Sequence, residues 1–345
     1  MEIALAVVAL VAGLAALVKS ADVFVDGAAD GAKLLNAPPL LVGMVVVGFG
    51  TSAPEMTVSA ISALRGNPDL ALGNAYGSNI CNIALILGLC AILRPLVVRR
   101  SGWNFDLPVL MAVSLVCEIV LLCFGAGLSR GESFVLLGVF AAVLVISARR
   151  QMADQSAVDG TAKPSSAGPD GNSGLAAAAA AGAARRRALL VACAKTILGL
   201  AGLVLSSRAV VWGACEIAHA LGVSDLIVGL TIVAVGTSLP ELASSVAAVR
   251  YGEDDLAVGN ILGSNLFNAL AVVGLAGAIS PMETFDPAIV WRDLPVSFAL
   301  AAALWIFGRP RRNSRDGTLG RAAGVLFLVG YVAYVATLVA AARAA

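Results

Sequence analysis

The chain carries one polar motif twice, as GTSAPE at residues 50–55 and as GTSLPE at residues 236–241. Around the motif, residues 42–88 align without a gap onto residues 228–274 at an offset of 186, with 20 of 47 positions identical. Identity at this level over a fixed offset indicates an internal duplication. An Asp-Leu-Pro-Val motif is also repeated, at residues 106–109 and 293–296. Each Asp is expected to cap the helix that follows it, with Pro in the first turn.

The composition places the chain in a lipid bilayer. Of its 345 residues 59% are hydrophobic and only 13% are charged, and the mean hydropathy is +0.91, which leaves too little polar surface for a soluble protein. A membrane-spanning helix needs about 20 mostly apolar residues. Such stretches predict ten transmembrane helices, near residues 3–20, 40–63, 70–92, 108–124, 133–148, 188–207, 225–248, 256–278, 290–307 and 322–341. The first is expected to be a retained helix and not a signal peptide, because Met1 and Glu2 provide no basic leading region.

A polar segment divides the ten helices into two halves. Residues 151–187 combine a stretch rich in Ser, Gly, Asp and Pro with a run of alanines, which predicts a disordered linker. The halves, 1–150 and 188–345, then have five helices each, and an odd number inverts the second half in the membrane. Inverted repeats meet around a pseudo-twofold axis, so segments 42–88 and 228–274 are expected to converge near the bilayer centre. The predicted fold class is therefore all-α, integral membrane, with two inverted five-helix repeats.

Positive charge predicts the orientation, because loops rich in Lys and Arg stay in the cytoplasm. With the N-terminus outside, the loops assigned to the cytoplasm hold seventeen Lys and Arg residues and the outer loops hold five. Lys195 is left inside a helix. We therefore expect a multi-pass protein of the cell membrane with both termini outside. The linker at 151–187 is expected in the cytoplasm.

Each half contains a glutamate inside an apolar span, Glu55 in the first and Glu241 in the second. A charged group there costs at least ~2.5–3.5 kcal/mol on insertion scales, so each glutamate is a candidate functional residue. Thr51 and Ser52 are spaced i,i+4 and i,i+3 from Glu55, so on a helix their hydroxyls share a face with its carboxylate. The same spacing recurs in the second half.

A second shared motif follows, GNAYGSNICN at residues 73–82 and GNILGSNLFN at residues 259–268. Within it Ser78 and Asn82 are also i,i+4, which places a hydroxyl and an amide on one helix face. Because both motifs recur in both halves, we expect a single convergent site.

The candidate ligands are all oxygens. They comprise carboxylates, hydroxyls, amides and, where Pro54 breaks the helix, freed backbone carbonyls such as that of Gly48. Oxygen ligands suit hard cations such as Ca²⁺ and Na⁺, whereas zinc or copper favours Cys or His. Two negative charges balance one Ca²⁺, and several Na⁺ ions can compete for the same oxygens. Such competition is the physical basis of exchange.

Other features argue against competing classes. A single His219, with no Ser-His, Cys-His or HExxH arrangement, argues against an enzyme and against a histidine metal site. The six cysteines form no CxxC pair and are expected to be small buried hydrophobic residues. The formal net charge of +1 gives no reason to expect nucleic acid as a partner. No cofactor is expected.

Several polar residues remain open to two interpretations. Two roles are equally compatible with the sequence for four of them, interhelical hydrogen bonding and ion ligation. These residues are Ser59, Ser245, Asn79 and Asn265. Glu118 has no counterpart in the other half, and a packing or interface role is expected for it. A solvated helix face is the expected role of the regularly spaced Asp22, Asp26 and Asp30, with attraction of cations at an entrance as the alternative.

The paired GTSxPE and GSNxxN motifs resemble those of the calcium/cation antiporter superfamily, specifically its sodium/calcium exchanger branch, over essentially the whole chain. The resemblance implies an antiporter of the prokaryotic form that works by alternating access, with Ca²⁺, Na⁺ and the bilayer as its partners. We also expect a monomer. Gly48 and Ala234 would contribute backbone carbonyls. Gly48 stands where the family commonly has alanine, and the difference matters little because the ligand is a backbone atom. The resemblance assigns the ion sites to Gly48, Thr51, Ser52, Glu55, Ser78, Asn82, Ala234, Thr237, Ser238, Glu241, Ser264 and Asn268.

Two subfamily features bear on the counter-ion. Calcium/proton exchangers typically carry a Gly-Asn-x-x-Glu element around the repeat glutamate, so the GTSxPE form implies sodium. Potassium-dependent members carry Asp at the position of Asn268, so transport without potassium is implied. A buried glutamate can also carry a proton, which leaves a Ca²⁺/H⁺ antiporter as the alternative. A cation channel with an acidic filter is a third hypothesis, and it predicts flux without counter-ion coupling.

Overall fold

The computed structural model describes residues 2–66, 68–100, 102–123, 127–159, 173–221, 234–282, 284, 286–310, 314 and 316–344. The described chain is almost entirely helical. Its helices are, in chain order, α1 (Glu2–Leu35), α2 (Pro39–Thr51), α3 (Ala53–Leu64), α4 (68–93), α5 (102–123), α6 (Arg130–Asp159), α7 (Ser173–Ala220), α8 (Ala234–Thr237), α9 (Leu239–Tyr251), α10 (Asp254–Ile279), α11 (Ile289–Phe307) and α12 (Arg321–Ala344).

Within the described residues, nine of the ten predicted spans correspond to one helix or, for residues 40–63, to the bent pair α2–α3. Among the described residues, seven helices are long and apolar enough to cross a membrane, and the pair α2–α3, bent by 46°, adds an eighth. The α-helical part of α5 has 17 residues and stands just below that length. The span predicted at 225–248 is described only from residue 234 onward, as α8 and α9.

Two helices extend further than the sequence predicts. The linker prediction differs from the structure over 151–159 and 173–187, where α6 continues to Asp159 and α7 begins at Ser173. Alanine is the strongest helix former, and the alanine run after Ser173 therefore continues the helix instead of interrupting it. Residues 160–172 of the linker lie outside the described residues.

α1 and α7 lie antiparallel along each other, with glycines between them. A Cβ built on Gly199 of α7 would lie 2.5 Å from the backbone nitrogen of Phe24, and one on Gly27 of α1 would lie 2.6 Å from that of Thr196. Small residues at such a crossing let two helix backbones approach closely. The pair exposes most of its surface, whereas α4 and α10 are mostly buried and form the centre of the fold.

Short π-helical segments occur at matching places in the two halves. Cys81–Leu87 in α4 corresponds to Phe267–Val272 in α10, and Gly102–Asp106 before α5 proper corresponds to Ile289–Asp293 in α11. Such segments commonly mark functional sites in helices. Their recurrence shows that the sequence duplication is also a structural one.

The helix caps predicted at Asp106 and Asp293 are wrong, because both residues lie within continuous helix. Asp293 has helical dihedrals (φ −77°, ψ −42°) and caps no backbone N–H. Its carboxylate instead accepts hydrogen bonds from Arg292 (2.6 Å) and from the Tyr334 hydroxyl (3.0 Å). Asp106 is buried and accepts from the Gln151 amide at 3.2 Å. Asp106 therefore ties α5 to α6, and Asp293 ties α11 to α12. These are the fourth and fifth spans of their halves.

One short ribbon joins the two halves away from the helices. Strand β1 (Leu96–Val98) pairs antiparallel with β2 (Gly317–Leu319), with Leu96 opposite Leu319. Beside β1, the buried Asp254 at the start of α10 binds Arg94 and accepts from the Val97 amide at 3.1 Å. The ribbon fixes the end of α4 against the start of α12, and the bonds of Asp254 fix it against the start of α10.

Candidate functional site

The candidate site begins where α2 and α8 end. Ser52 separates α2 from α3 with φ −80° and ψ 2°, and Ser238 separates α8 from α9 with φ −88° and ψ 8°. In both cases a proline follows at the start of the next helix, where it lacks an N–H and cannot continue the ladder of the previous one. The helix break predicted near Thr51 is therefore present one residue later, and it recurs in the second half.

Glu55 and Glu241 lie in the first turns of α3 and α9, and both are fully buried. The positive end of a helix dipole favours a carboxylate at that position. The Ser238 hydroxyl donates to Glu55 Oε1 at 3.3 Å, and the Ser52 hydroxyl donates to Glu241 Oε1 at 3.2 Å. Each glutamate is thus held by the serine of the opposite repeat, which makes the two motifs one continuous cluster.

Several buried oxygens in this cluster have no hydrogen-bond donor among the described residues. They are Glu55 Oε2, Glu241 Oε2, Asn82 Oδ1, Asn268 Oδ1 and Asn79 Oδ1. The described part of the chain also places no Lys, Arg or His against either glutamate. Two buried carboxylates without a positively charged partner are costly, and a cation bound between them would supply the missing charge.

The remaining predicted ligands lie in α2, α4, α8 and α10, the helices next to those that carry the glutamates. Ser264 donates to the Gly48 carbonyl at 3.4 Å, which joins α10 to α2. Asn82 donates to Asn265 Oδ1 at 2.9 Å, and Asn268 lies buried in the matching π-helical segment of α10. Ser78 is buried in α4, and no hydrogen bond between described residues joins it to the glutamates. Ala234 and Thr237 are the first and last residues of α8.

A cavity of about 250 Å³ lies beside the cluster, between the first turns of α3, the second half of α7 and the end of α8. It is lined by Pro54 and Thr57 of α3, by Ser207 and Arg208 of α7, and by Thr237 of α8. No three His, Cys, Asp or Glu side chains among the described residues gather into a conventional metal cluster. The cluster described above has two carboxylates and several neutral oxygens, which is the kind of donor set that hard cations prefer.

The family model described as "Sodium/calcium exchanger protein" matches residues 5–149 and 192–340 of the chain. The chain belongs to the sodium/calcium exchanger protein family. The two matched ranges correspond to the two halves that the repeats define, and the membership confirms the predicted superfamily. It is a family of transporters and not of enzymes.

Relatives of this exchanger match along nearly its full length. Inner membrane protein YrbG of Escherichia coli (strain K12) is 39% identical over 338 residues, which cover 97% of each chain. Sodium/calcium exchanger MaX1 of Methanosarcina acetivorans is 29% identical over 365 residues, which cover 95% of this chain and 97% of that one. A solved structure of the sodium-calcium exchanger NCX_Mj superposes with a TM-score of 0.78 at 28% identity, covering 97% of this chain and 98% of the other. The exchanger accordingly has ten transmembrane helices in two inverted five-helix repeats, as predicted.

Two asparagines of this exchanger were not predicted as part of the site. Asn74 donates to Ser59 Oγ (3.0 Å) and to the Glu55 carbonyl (3.2 Å), and Asn260 donates to Ser245 Oγ (2.9 Å). Each thereby ties a glutamate-bearing helix to the helix that follows it. The signal was present in the sequence, because Gly-Asn opens the second shared motif in both halves.

Interhelical hydrogen bonds are made by all four residues whose role the sequence left open, namely Ser59, Ser245, Asn79 and Asn265. Ser59 and Ser245 accept from the two asparagines just described. Asn79 donates to the Asn265 carbonyl at 3.2 Å, and Asn265 donates to the Asn79 carbonyl at 3.4 Å. The structure thus favours the packing interpretation for Ser59, Ser245 and Asn265, while Asn79 Oδ1 is left without a donor.

The regularly spaced aspartates of α1 are ion-paired. Lys195 of α7 bonds to Asp26 at 2.8 Å and to Asp30 at 3.2 Å, and Asp22 lies 3.7 Å from Arg250 of α9. These groups are exposed to solvent to a large extent, so the pairs contribute little to stability. The Glu118 side chain lies outside the described residues.

Proposed function

We propose that this exchanger moves Ca²⁺ and Na⁺ in opposite directions through one shared site. The observation that carries the proposal is the pair of fully buried glutamates, each bonded to the serine of the opposite repeat and each with one oxygen left unpartnered. Together they provide two negative charges, which one Ca²⁺ balances. Several Na⁺ ions can occupy the same oxygens instead, and the two ions then exclude each other.

The proposed ligands are the twelve positions that the sequence indicates. Neutral amides at Asn82 and Asn268 keep the charge of the site at two negatives. Gly48 and Ala234 contribute backbone carbonyls, and hydroxyls and carboxylates complete the shell. The proposed ion ligands are Gly48, Thr51, Ser52, Glu55, Ser78, Asn82, Ala234, Thr237, Ser238, Glu241, Ser264 and Asn268.

Sodium is the proposed counter-ion, and potassium is not required. MaX1 and NCX_Mj carry the name of sodium/calcium exchangers, which supports sodium. The neutral Asn268 supports independence from potassium. A second candidate is proton coupling, which the two unpaired glutamates favour because a buried carboxylate can also bind a proton.

Alternating access is proposed to come from movement of the α1–α7 pair. The pair is packed on glycines and is largely exposed, whereas the helices that carry the glutamates lie against the buried α4 and α10. The cavity at Thr57 and Ser207 is proposed as the route by which ions enter from one side. We place this side and both termini outside, and the 151–187 segment in the cytoplasm. The protein is proposed to work as a monomer in the cell membrane.

Uptake of radioactive Ca²⁺ into liposomes tests the proposal. Purified protein is reconstituted and assayed with an outward Na⁺ gradient, an outward H⁺ gradient, an outward K⁺ gradient and no gradient. Uptake driven by Na⁺ alone is expected. Uptake driven by H⁺ without Na⁺ would favour the proton antiporter, and Ca²⁺ flux without any counter-ion would favour a channel.

Isosteric variants connect the result to the site. Glu55→Gln and Glu241→Gln are each expected to abolish Na⁺-driven uptake, because either removes half of the charge that Ca²⁺ needs. Glu132→Gln is the matched control, since this glutamate is partly exposed on α6 and, within the described part of the chain, its side chain bonds only to Ser129. Full uptake by either site variant would contradict the proposal.

A further inference from the structure

The side chain of Asn260 contacts both halves of the site. Asn260 is fully buried in α10. Its amide nitrogen lies 2.9 Å from Ser245 Oγ, 3.1 Å from Ser244 Oγ and 3.4 Å from the Glu241 carbonyl, all on α9. On its other side, the amide oxygen lies 3.1 Å from Thr51 Oγ1 of α2, 209 positions earlier in the chain.

The serines determine which way this amide faces. Ser244 donates its one hydroxyl hydrogen to the Glu241 carbonyl at 3.1 Å, which leaves only lone pairs for Asn260. The group that faces Ser244 must therefore be the NH₂ of the amide. Because the NH₂ faces α9, the amide oxygen faces Thr51. If the amide were turned by 180°, its oxygen would instead face the lone pairs of Ser244 Oγ.

Thr51 has a single hydroxyl hydrogen and four acceptors in reach. They are the Val47 carbonyl at 3.0 Å, Asn260 Oδ1 at 3.1 Å, the Gly48 carbonyl at 3.5 Å and the carboxylate of Glu241. A hydroxyl that ligates a cation must direct a lone pair at the ion and its hydrogen away from it. If Asn260 were reversed, its NH₂ would donate to Thr51 and occupy one of the two hydroxyl lone pairs that can face the ion.

We propose that Asn260 is a positioning residue that keeps Thr51 available as an ion ligand, with its own orientation set by Ser244 and Ser245. This inference rests on the proposed function, because it presumes that Thr51 ligates the ion. It makes a ligand in the first half of the site depend on three residues of the second half. Loading of the site is therefore coupled across the two repeats.

The other repeat provides a matched control in Asn74. Among the described residues, Asn74 bonds only to Ser59 and to the Glu55 carbonyl, and Val58 stands where the second half has Ser244. Asn74 therefore ties its own glutamate-bearing helix to α4, as Asn260 does to α10, but it lacks a described bond across the repeats. A purely structural role predicts similar consequences for the two asparagines.

A double-mutant cycle tests the inference, with the apparent KM for Ca²⁺ in Na⁺-driven uptake as the readout. Asn260→Ala and Thr51→Ala are each expected to raise the KM about fivefold, as loss of one hydrogen-bonded contact typically does. The double variant is expected to be no worse than Thr51→Ala alone. In contrast, Asn74→Ala combined with Thr51→Ala is expected to show the product of the two single effects.

The outcomes separate this inference from the proposed function. If Thr51→Ala leaves the KM unchanged, the ligand assignment fails, and with it both proposals at that residue. If Thr51→Ala raises the KM but the effect of Asn260→Ala multiplies with it, only the positioning role of Asn260 is overturned. Should Asn260→Ala not fold, the pair Ser244→Ala with Ser245→Ala releases the amide instead. That pair must raise the KM only when Thr51 is present.

Discussion

A single methyl group at Gly263 tests whether the position of α2 determines ion affinity. A Cβ built on this α10 residue would lie 2.3 Å from the carbonyl oxygen of Met44, 2.7 Å from its Cα and 2.8 Å from its carbonyl carbon. All three atoms are backbone, so no side-chain rotation relieves the contact. Since carbon and oxygen approach to about 3.3 Å at closest, Gly263→Ala must push α2 away by about 1 Å.

The displacement reaches the site because α2 carries Gly48 and Thr51. Overpacking of this kind costs about 1–3 kcal/mol of folding stability, which leaves a folded protein. Displacing a positioned group by about 1 Å can reduce function on the order of a hundredfold. We therefore expect Gly263→Ala to fold, and to raise the apparent KM for Ca²⁺ by about ten- to a hundredfold.

The assay combines Na⁺-driven Ca²⁺ uptake over a range of Ca²⁺ concentrations with thermal unfolding in detergent. The control is Gly330→Ala in α12, where a Cβ meets no atom within 4 Å. The control is expected to leave both measurements unchanged. A wild-type KM for Gly263→Ala, or an equal loss in both variants, would refute the reasoning.

Two further substitutions test other parts of the account. Gly199→Ala places a methyl 2.5 Å from the Phe24 backbone nitrogen, so it is expected to slow maximal Ca²⁺ uptake while equilibrium Ca²⁺ binding stays unchanged. Gly138→Ala is the control, because its methyl meets nothing within 4 Å. Equal loss of Ca²⁺ binding in the Gly199 variant would contradict movement of α1 against α7. Trp103 stacks on Trp305 with ring centroids 5.3 Å apart and donates to its carbonyl at 2.8 Å. Trp103→Phe is therefore expected to cost about 1 kcal/mol and lower the Tm by a few degrees, with Na⁺-driven uptake retained; an unchanged Tm would contradict this.

The sequence predicted most of the helices because an apolar stretch in a membrane chain has few alternatives to a helix. It placed the end of the first apolar span near residue 20 and Asp22, Asp26 and Asp30 on a solvated helix face beyond it, and α1 does continue to Leu35. The charges of Asp22, Asp26 and Asp30 ended the apolar run, but Arg250 and Lys195 compensate them. These partners lie far away along the chain, so no local pattern indicates them.

The site was predicted in outline and missed in detail for a similar reason. Glu55 and Glu241 are recognisable because ionisable groups are rare inside apolar spans, and their repetition indicates convergence. Asn260 was passed over, since its role depends on Thr51, 209 positions away, and only the fold brings the two together. The π-helical position of Asp106 was also missed, because an inserted residue changes the hydrogen-bond register without changing the apolar periodicity.

The central claim is that Glu55 and Glu241 form one Ca²⁺ site and not two. Equilibrium binding of radioactive Ca²⁺ to the purified protein tests it most directly, with wild type, Glu55→Gln and Glu241→Gln compared at the same saturating concentration. The account predicts one Ca²⁺ per wild-type chain and none in either variant. Two Ca²⁺ per wild-type chain, with one retained in each variant, would contradict it.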